Sequence, residues 1–181
     1  MFRSLTISIV LACCLSAETA SISVSHRNPR QSAFIEAGVG IAGVTIGKSS
    51  MSDVVAMYGD NFKLIEHNEY SDEIRYAELG LSFWYCHNDP DKRIFCIEVK
   101  SPCYGVTSKG VIMGESTAED VFRLYGEPDE HYGGKYTYKG IQFYYESEAE
   151  NGEEESGQSS RKIVTIDVVP PDKDSNFCDG I

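Results

Sequence analysis

The chain states one pattern twice. Gly43-Val44-Thr45-Ile46-Gly47-Lys48-Ser49 returns as Gly110-Val111-Ile112-Met113-Gly114-Glu115-Ser116. Asp53-Val54 recurs as Asp120-Val121, and Met57-Tyr58-Gly59 as Leu124-Tyr125-Gly126, all at an offset of 67 (114 − 47, 126 − 59). Further on, Gly80-Leu81-Ser82-Phe83-Trp84-Tyr85 answers Gly140-Ile141-Gln142-Phe143-Tyr144-Tyr145, and Arg93-Ile94-Phe95-Cys96-Ile97-Glu98-Val99 answers Lys162-Ile163-Val164-Thr165-Ile166-Asp167-Val168. A period this long means two copies of one supersecondary unit, and it restricts the fold before any propensity is considered.

Each copy opens with a helix signal. Ser49 or Ser50 can cap the first helix, and Met51, Val54, Val55 and Tyr58 fall at i, i+3, i+4 and i+7, one apolar stripe ended by Gly59. In the second copy Ser116 or Thr117 caps, Ala118, Val121, Phe122 and Tyr125 form the stripe, and Gly126 ends it. Strand-like sequence follows. Phe62 to His67 and Ile74 to Leu79 are candidates in copy one, with His131 to Tyr138 as their counterpart in copy two. Leu81, Phe83 and Tyr85 alternate with Ser82, Trp84 and Cys86. Phe95, Ile97 and Val99 alternate with Ile94, Cys96 and Glu98. Such alternation describes an antiparallel sheet covered on one side. His87 to Lys92 is the turn between those two strands. In copy two the same turn grows by about nine residues, the offset rising from 60 to 69, into a Glu-, Gly- and Ser-rich loop.

The organisation expected is therefore α+β, with two tandem repeats, each a short helix packed on one face of a three- to four-stranded antiparallel sheet. Residues 1–20 read as a signal peptide, with a basic start, an apolar run and small residues after it, too short to span a membrane. Residues 21–37 read as a linker, 38–102 as repeat unit 1, 103–171 as repeat unit 2 with an acidic hairpin loop at 146–160, and 172–181 as a C-terminal tail. Val10-Leu11-Ala12-Cys13 loosely matches a lipoprotein cleavage box, in which Cys13 would carry the lipid. A lipid there would be the chain's one membrane attachment. The net charge of −12 argues against nucleic acid and against anionic lipid headgroups as partners.

Cys86, Cys96, Cys103 and Cys178 follow the signal, an even number in an exported chain, which favours disulfides. Cys86 and Cys96 fall on facing strands of one hairpin, so Cys86–Cys96 ranks first, leaving Cys103–Cys178. Alternation also places Trp84 and Tyr144, with Ile94 and Ile163, on the sheet face away from the helices. Aromatics on such a face suit a protein-binding surface, and a covering segment would serve the same residues equally well.

Reactive chemistry finds little support. His26, His67, His87 and His131 lie in no metal-ligand spacing and no catalytic motif, and the acidic loop lacks the ligand spacing of a calcium loop. Gly38-Val39-Gly40-Ile41-Ala42-Gly43 has no strand-turn-helix context for a nucleotide. No nucleophile elbow or P-loop is present. The expectation is no catalytic residue, metal or cofactor.

The repeated core, Gly-(hydrophobic)-x-(hydrophobic)-Gly-x-Ser, a short helix ending (Leu/Met)-Tyr-Gly, then Gly-Leu-x-Phe and a closing (Lys/Arg)-hydrophobic-x-x-Ile-x-Val, resembles the SmpA/OmlA (BamE-like) repeat. Gly43 to Val99 and Gly110 to Val168 carry it. Doubled and with a hairpin disulfide, the unit is similar to the β-lactamase inhibitor protein fold. The resemblance implies an exported, non-catalytic protein-binding or envelope-structural module. A lipid-anchored assembly lipoprotein and a secreted enzyme inhibitor are the alternatives.

Overall fold

Ser50 and Thr117 start the two helices in the same way. The computed structural model describes residues 33–67, 69–146, 161–172 and Cys178. The signal peptide, Cys13, His26 and the acidic loop beyond Glu146 lie outside the described residues. Helix α1 (Met51–Tyr58) and helix α2 (Ala118–Tyr125) are both opened by a reciprocal capping box. Ser50 Oγ accepts from the Asp53 amide at 3.2 Å, while the Asp53 carboxylate accepts from the Ser50 amide at 2.8 Å. Thr117 and Asp120 repeat the exchange at 3.2 and 3.0 Å. The box satisfies two amides that the first turn leaves without partners, and the acidic residue also suits the positive helix end. Gly59 and Gly126 stop the helices at φ 87° and 83°, a region that side chains disfavour.

The described residues form twelve strands: β1 (Ala33–Glu36), β2 (Gly40–Ile41), β3 (Val44–Thr45), β4 (Lys63–Glu66), β5 (Ser71–Tyr76), β6 (Leu81–Cys86), β7 (Ile94–Lys100), β8 (Gly105–Thr107), β9 (Glu130–Tyr132), β10 (Lys135–Tyr138), β11 (Ile141–Tyr145) and β12 (Ile163–Val168). Eight of them make one antiparallel sheet in the order β4-β5-β6-β7-β12-β11-β10-β9. Strands from the first half of the chain and from the second meet at its middle, where β7 pairs with β12 from Lys100↔Thr165 to Ile97↔Val168. The stretch from His131 to Tyr138, read as the counterpart of two strand candidates, lies in the hairpin β9–β10, turned at Gly133 and Gly134 with φ 57° and 80°.

A second, four-stranded sheet has the order β3-β2-β1-β8, with β1 and β8 parallel. Residues 33–36, expected in the linker, are therefore structural. Ile35 is fully buried and Phe34 faces outward.

The core gathers Ile74, Tyr76, Leu81, Phe83, Tyr85, Ile97, Val99, Ile166, Val168, Ile141 and Phe143 from one face of the large sheet. Val54 and Val121 from the helices join the same cluster. Tyr58 meets Tyr76 and Phe83 with ring centroids 5.7 and 5.5 Å apart, and Tyr125 meets Tyr138 and Phe143 at 5.2 and 4.9 Å. The stripe of α2 is narrower than its spacing suggests, since Phe122 is 47% exposed. Two hydroxyls tie helix ends to strands: Tyr76 donates to Gly59 O at 2.7 Å and Tyr138 to Gly126 O at 2.9 Å.

Strict alternation fails at two places. Trp84 faces Cys96 but Tyr85 faces Ile94, so Phe95 is an extra residue in β7. Tyr144 faces Thr165 but Tyr145 faces Ile163, so Val164 is the extra residue in β12. A bulge puts two residues opposite one and reverses the phase of inward and outward positions beyond it. Ile94 and Ile163, expected beside Trp84 and Tyr144, are consequently turned into the core, each with no exposed surface.

Candidate functional site

The face of the large sheet opposite the apolar core is polar, aromatic and charged. The registers align its residues in rows. One row crosses the sheet through Arg75, Ser82, Glu98, Asp167, Gln142, Thr137 and Glu130. On one side of it lie Glu73, Trp84 and Cys96. On the other lie Lys100, Thr165, Tyr144, Lys135 and Tyr132. Trp84 and Tyr144 thus stand on one face, as alternation predicts, at opposite sides of the central row.

Around Trp84 the side chains hold one another. His67 stacks on the indole with ring centroids 4.0 Å apart. Its Nε2 is 2.6 Å from Glu73 Oε2. Arg75 donates to the same carboxylate through Nε at 2.6 Å and Nη2 at 2.8 Å, a forked pair. Burial pushes the Glu73 carboxyl upward, but the hydrogen bonds from Arg75 and His67, with the Ser82 hydroxyl close by, outweigh it and hold the group below its ordinary range. The Glu73 side chain is fully buried, so these bonds keep a buried charge satisfied.

Around Tyr144 the pattern differs. Its hydroxyl donates to Gln142 Oε1 at 3.1 Å, and Lys135 Nζ lies 5.9 Å from the ring centroid. Burial first, then the neighbouring Asp167, raises the phenol well above its usual range, so it serves as a neutral donor. Tyr132, at the edge of the same row, is 85% exposed.

The cysteines are arranged otherwise than their hairpin positions suggest. Cys86 pairs with Cys178, with Cα atoms 5.3 Å apart, and Cys96 and Cys103 are free thiols. The physical reason is the register of the β6–β7 pair. Running regularly from Leu81↔Val99, it sets Cys96 opposite Trp84, so Cys86 lies two residues further along β6, past the Tyr85–Ile94 pair. Cys86 shares the parity of Trp84, so the bridge fastens Cys178 on the polar face. Burial, then the negative charges of Asp167, Glu98 and Glu73, pushes the Cys96 thiol far up, and burial raises Cys103. Both thiols stay protonated, and a protonated thiol is a poor nucleophile.

The arrangement is suited to recognition: stacked and exposed aromatics, fixed ion pairs and neutral hydroxyl donors on a broad surface. Among the described residues no group of three or more His, Cys, Asp or Glu side chains is placed to hold a metal ion, and no helix is long and apolar enough to cross a membrane. His67, weighed in the sequence only as a metal or catalytic candidate, belongs to this face, and so do Glu73, Arg75, Lys135 and Tyr132, which the sequence did not single out. Their signal was present in the parity of β5, β9 and β10, once those strands are bounded. Comparison with protein-family models, curated proteins and solved structures found no match for the chain.

Proposed function

We propose that the chain is two copies of one helix-plus-sheet unit joined edge to edge, and that it acts as an exported, non-catalytic module binding another protein on the polar face of the shared sheet. The carrying observation is Trp84 and Tyr144, equivalent residues of the two copies, on one face with Tyr132 exposed in line with Tyr144. Aromatic side chains of this kind anchor protein interfaces, because they bury much area at little entropic cost.

Several details support the two-copy reading. The capping boxes, the tyrosine hydroxyls on the helix-terminal glycines, and the bulges beside Trp84 and Tyr144 each occur at equivalent positions. The reading keeps the likeness to the SmpA/OmlA repeat and its doubled form. Export agrees with the Cys86–Cys178 bridge, since such bonds persist in oxidising compartments.

The test compares wild type with Trp84→Ala/Tyr144→Ala in affinity capture from the native exported fraction. Loss of the same captured protein, with an unchanged unfolding curve, is the expected result. A correctly folded double variant that keeps every partner sinks the reading. Reading the mature N-terminus by mass spectrometry in the same fraction locates the cleavage, and palmitate labelling lost on Cys13→Ser would replace free export with a lipid anchor.

A further inference from the structure

Glu98 on β7 and Asp167 on β12 face each other directly across the ladder that joins the two halves of the sheet. Two carboxylates in this relation repel, and like charges directly opposite weaken a strand pair. Lys100 neutralises one of them, its Nζ 2.6 Å from Glu98 Oε1. Among the described residues Asp167 has no ion-pair partner, and its buried Oδ1 accepts no hydrogen bond. A buried, unbonded carboxylate oxygen carries the full cost of its lost hydration when the group is charged, and a proton removes that cost.

We propose that the Glu98–Asp167 pair is a proton-operated lock on the β7–β12 seam, in which one proton taken from solvent by Asp167 tightens the joint between the two halves and its release loosens it. The step forms one O–H bond on a carboxylate and nothing else. The inference does not depend on the partner-binding reading, because it concerns the joint and not what the face recognises.

The groups around Asp167 divide into two sets. Burial and Glu98 disfavour its charge, while the Tyr144 hydroxyl from β11, Lys135 from β10 and Lys100 from β7 favour it. Cys96, on the same strand as Glu98, is held neutral, and Arg75 on β5 acts on Glu98. Burial prevails, and the carboxyl is pushed up to about 7. A folded-state value above the unfolded one means that the folded protein holds more protons between the two values, so stability falls as pH rises through that window. The window here runs from the ordinary carboxylate range to neutrality.

The test uses the full chain in a His87→Gln background, which removes the imidazole that titrates in the same direction. Carboxyl carbon NMR on the folded protein should show Asp167 titrating near neutrality. Urea unfolding at pH 5 and pH 8 should show the unfolding constant rising by about a hundredfold, and Asp167→Asn should abolish that rise. Glu98→Gln should move the Asp167 midpoint down. Asp167 titrating below pH 5, or an Asp167→Asn protein with the parent's pH dependence, would overturn the proposal. Should Asp167→Asn fail to fold, the NMR midpoint alone decides it.

Discussion

His67 lies nearly flat on Trp84, the ring planes 24° apart, and reaches past it to the buried Glu73 carboxylate. One side chain thus links the aromatic surface to the charge beneath it. Trp84 is the only tryptophan, so its emission reports this contact directly. His67→Ala should shift the emission to the red by wetting the indole. His67→Phe should keep the emission and still lose about 1–3 kcal/mol in urea unfolding, because Glu73 loses a donor.

Arg75 is the stronger partner of Glu73, and its fork is half-open to water. Arg75→Leu leaves the carboxylate without its countercharge. The expected loss is about 2 kcal/mol, below the value for a fully buried pair because solvent screens the guanidinium. Glu73 sits below its ordinary range when folded, so its stabilisation is present above that range and fades as pH falls through the folded value. The difference between wild type and Arg75→Leu in chemical unfolding should accordingly shrink in acid.

Tyr76 and Tyr138 make the same bond to the glycine ending each helix. Tyr76→Phe and Tyr138→Phe should each cost about 1 kcal/mol. They share no partner, so the double variant should cost the sum. Unequal or strongly coupled effects in urea unfolding would count against two equivalent units.

His87 clamps the end of the β5–β6 hairpin. Its Nε2 is 2.6 Å from Asp72 Oδ1, and Nδ1 is 3.2 Å from Glu69 O, while Tyr85 OH donates to Asp72 Oδ2 at 3.1 Å. Two acceptors favour the doubly protonated ring. Asp72 chiefly raises the imidazole above its ordinary value. Its contribution is therefore complete below that ordinary value and is lost as pH rises through the folded one. The His87 ring protons should titrate at higher pH in wild type than in Asp72→Asn by proton NMR.

The Cys86–Cys178 bridge spans 92 residues of chain. Closing so long a loop restricts the unfolded state, and Cys178→Ser should lower stability by about 2–4 kcal/mol. In the native protein Cys96 and Cys103 should resist alkylation and react once urea unfolds the chain, as mass mapping of labelled peptides would show.

The helices were readable to within a residue at their caps, Ser49 or Ser50 and Ser116 or Thr117, and at their stops Gly59 and Gly126, because these are local signals that need nothing distant. The faces of β6 and β11 were readable for the same reason. Ile94 and Ile163 were misplaced because alternation carries no mark of a bulge. The repetition of Ile-Phe-Cys-Ile as Ile-Val-Thr-Ile is the one hint, apolar ends three apart where alternation would place them on opposite faces. The disulfide depended on where the tail returns. The strand at 33–36 depended on Gly105–Thr107, roughly seventy residues away, and neither relation leaves a local pattern.

The meeting of β7 and β12 also bears on how the chain finds its fold. Every other ladder of the large sheet joins neighbours along the chain, whereas Ile97↔Val168 closes a loop of 71 residues (168 − 97). Loop closure costs entropy before any contact rewards it, so nearby hairpins form early and distant pairings late. The four-residue ladder between the halves is then the last part of the sheet to zip. Two chains that meet before it has zipped could complete each other's sheets, so this joint is the natural place for an exchanged dimer to begin.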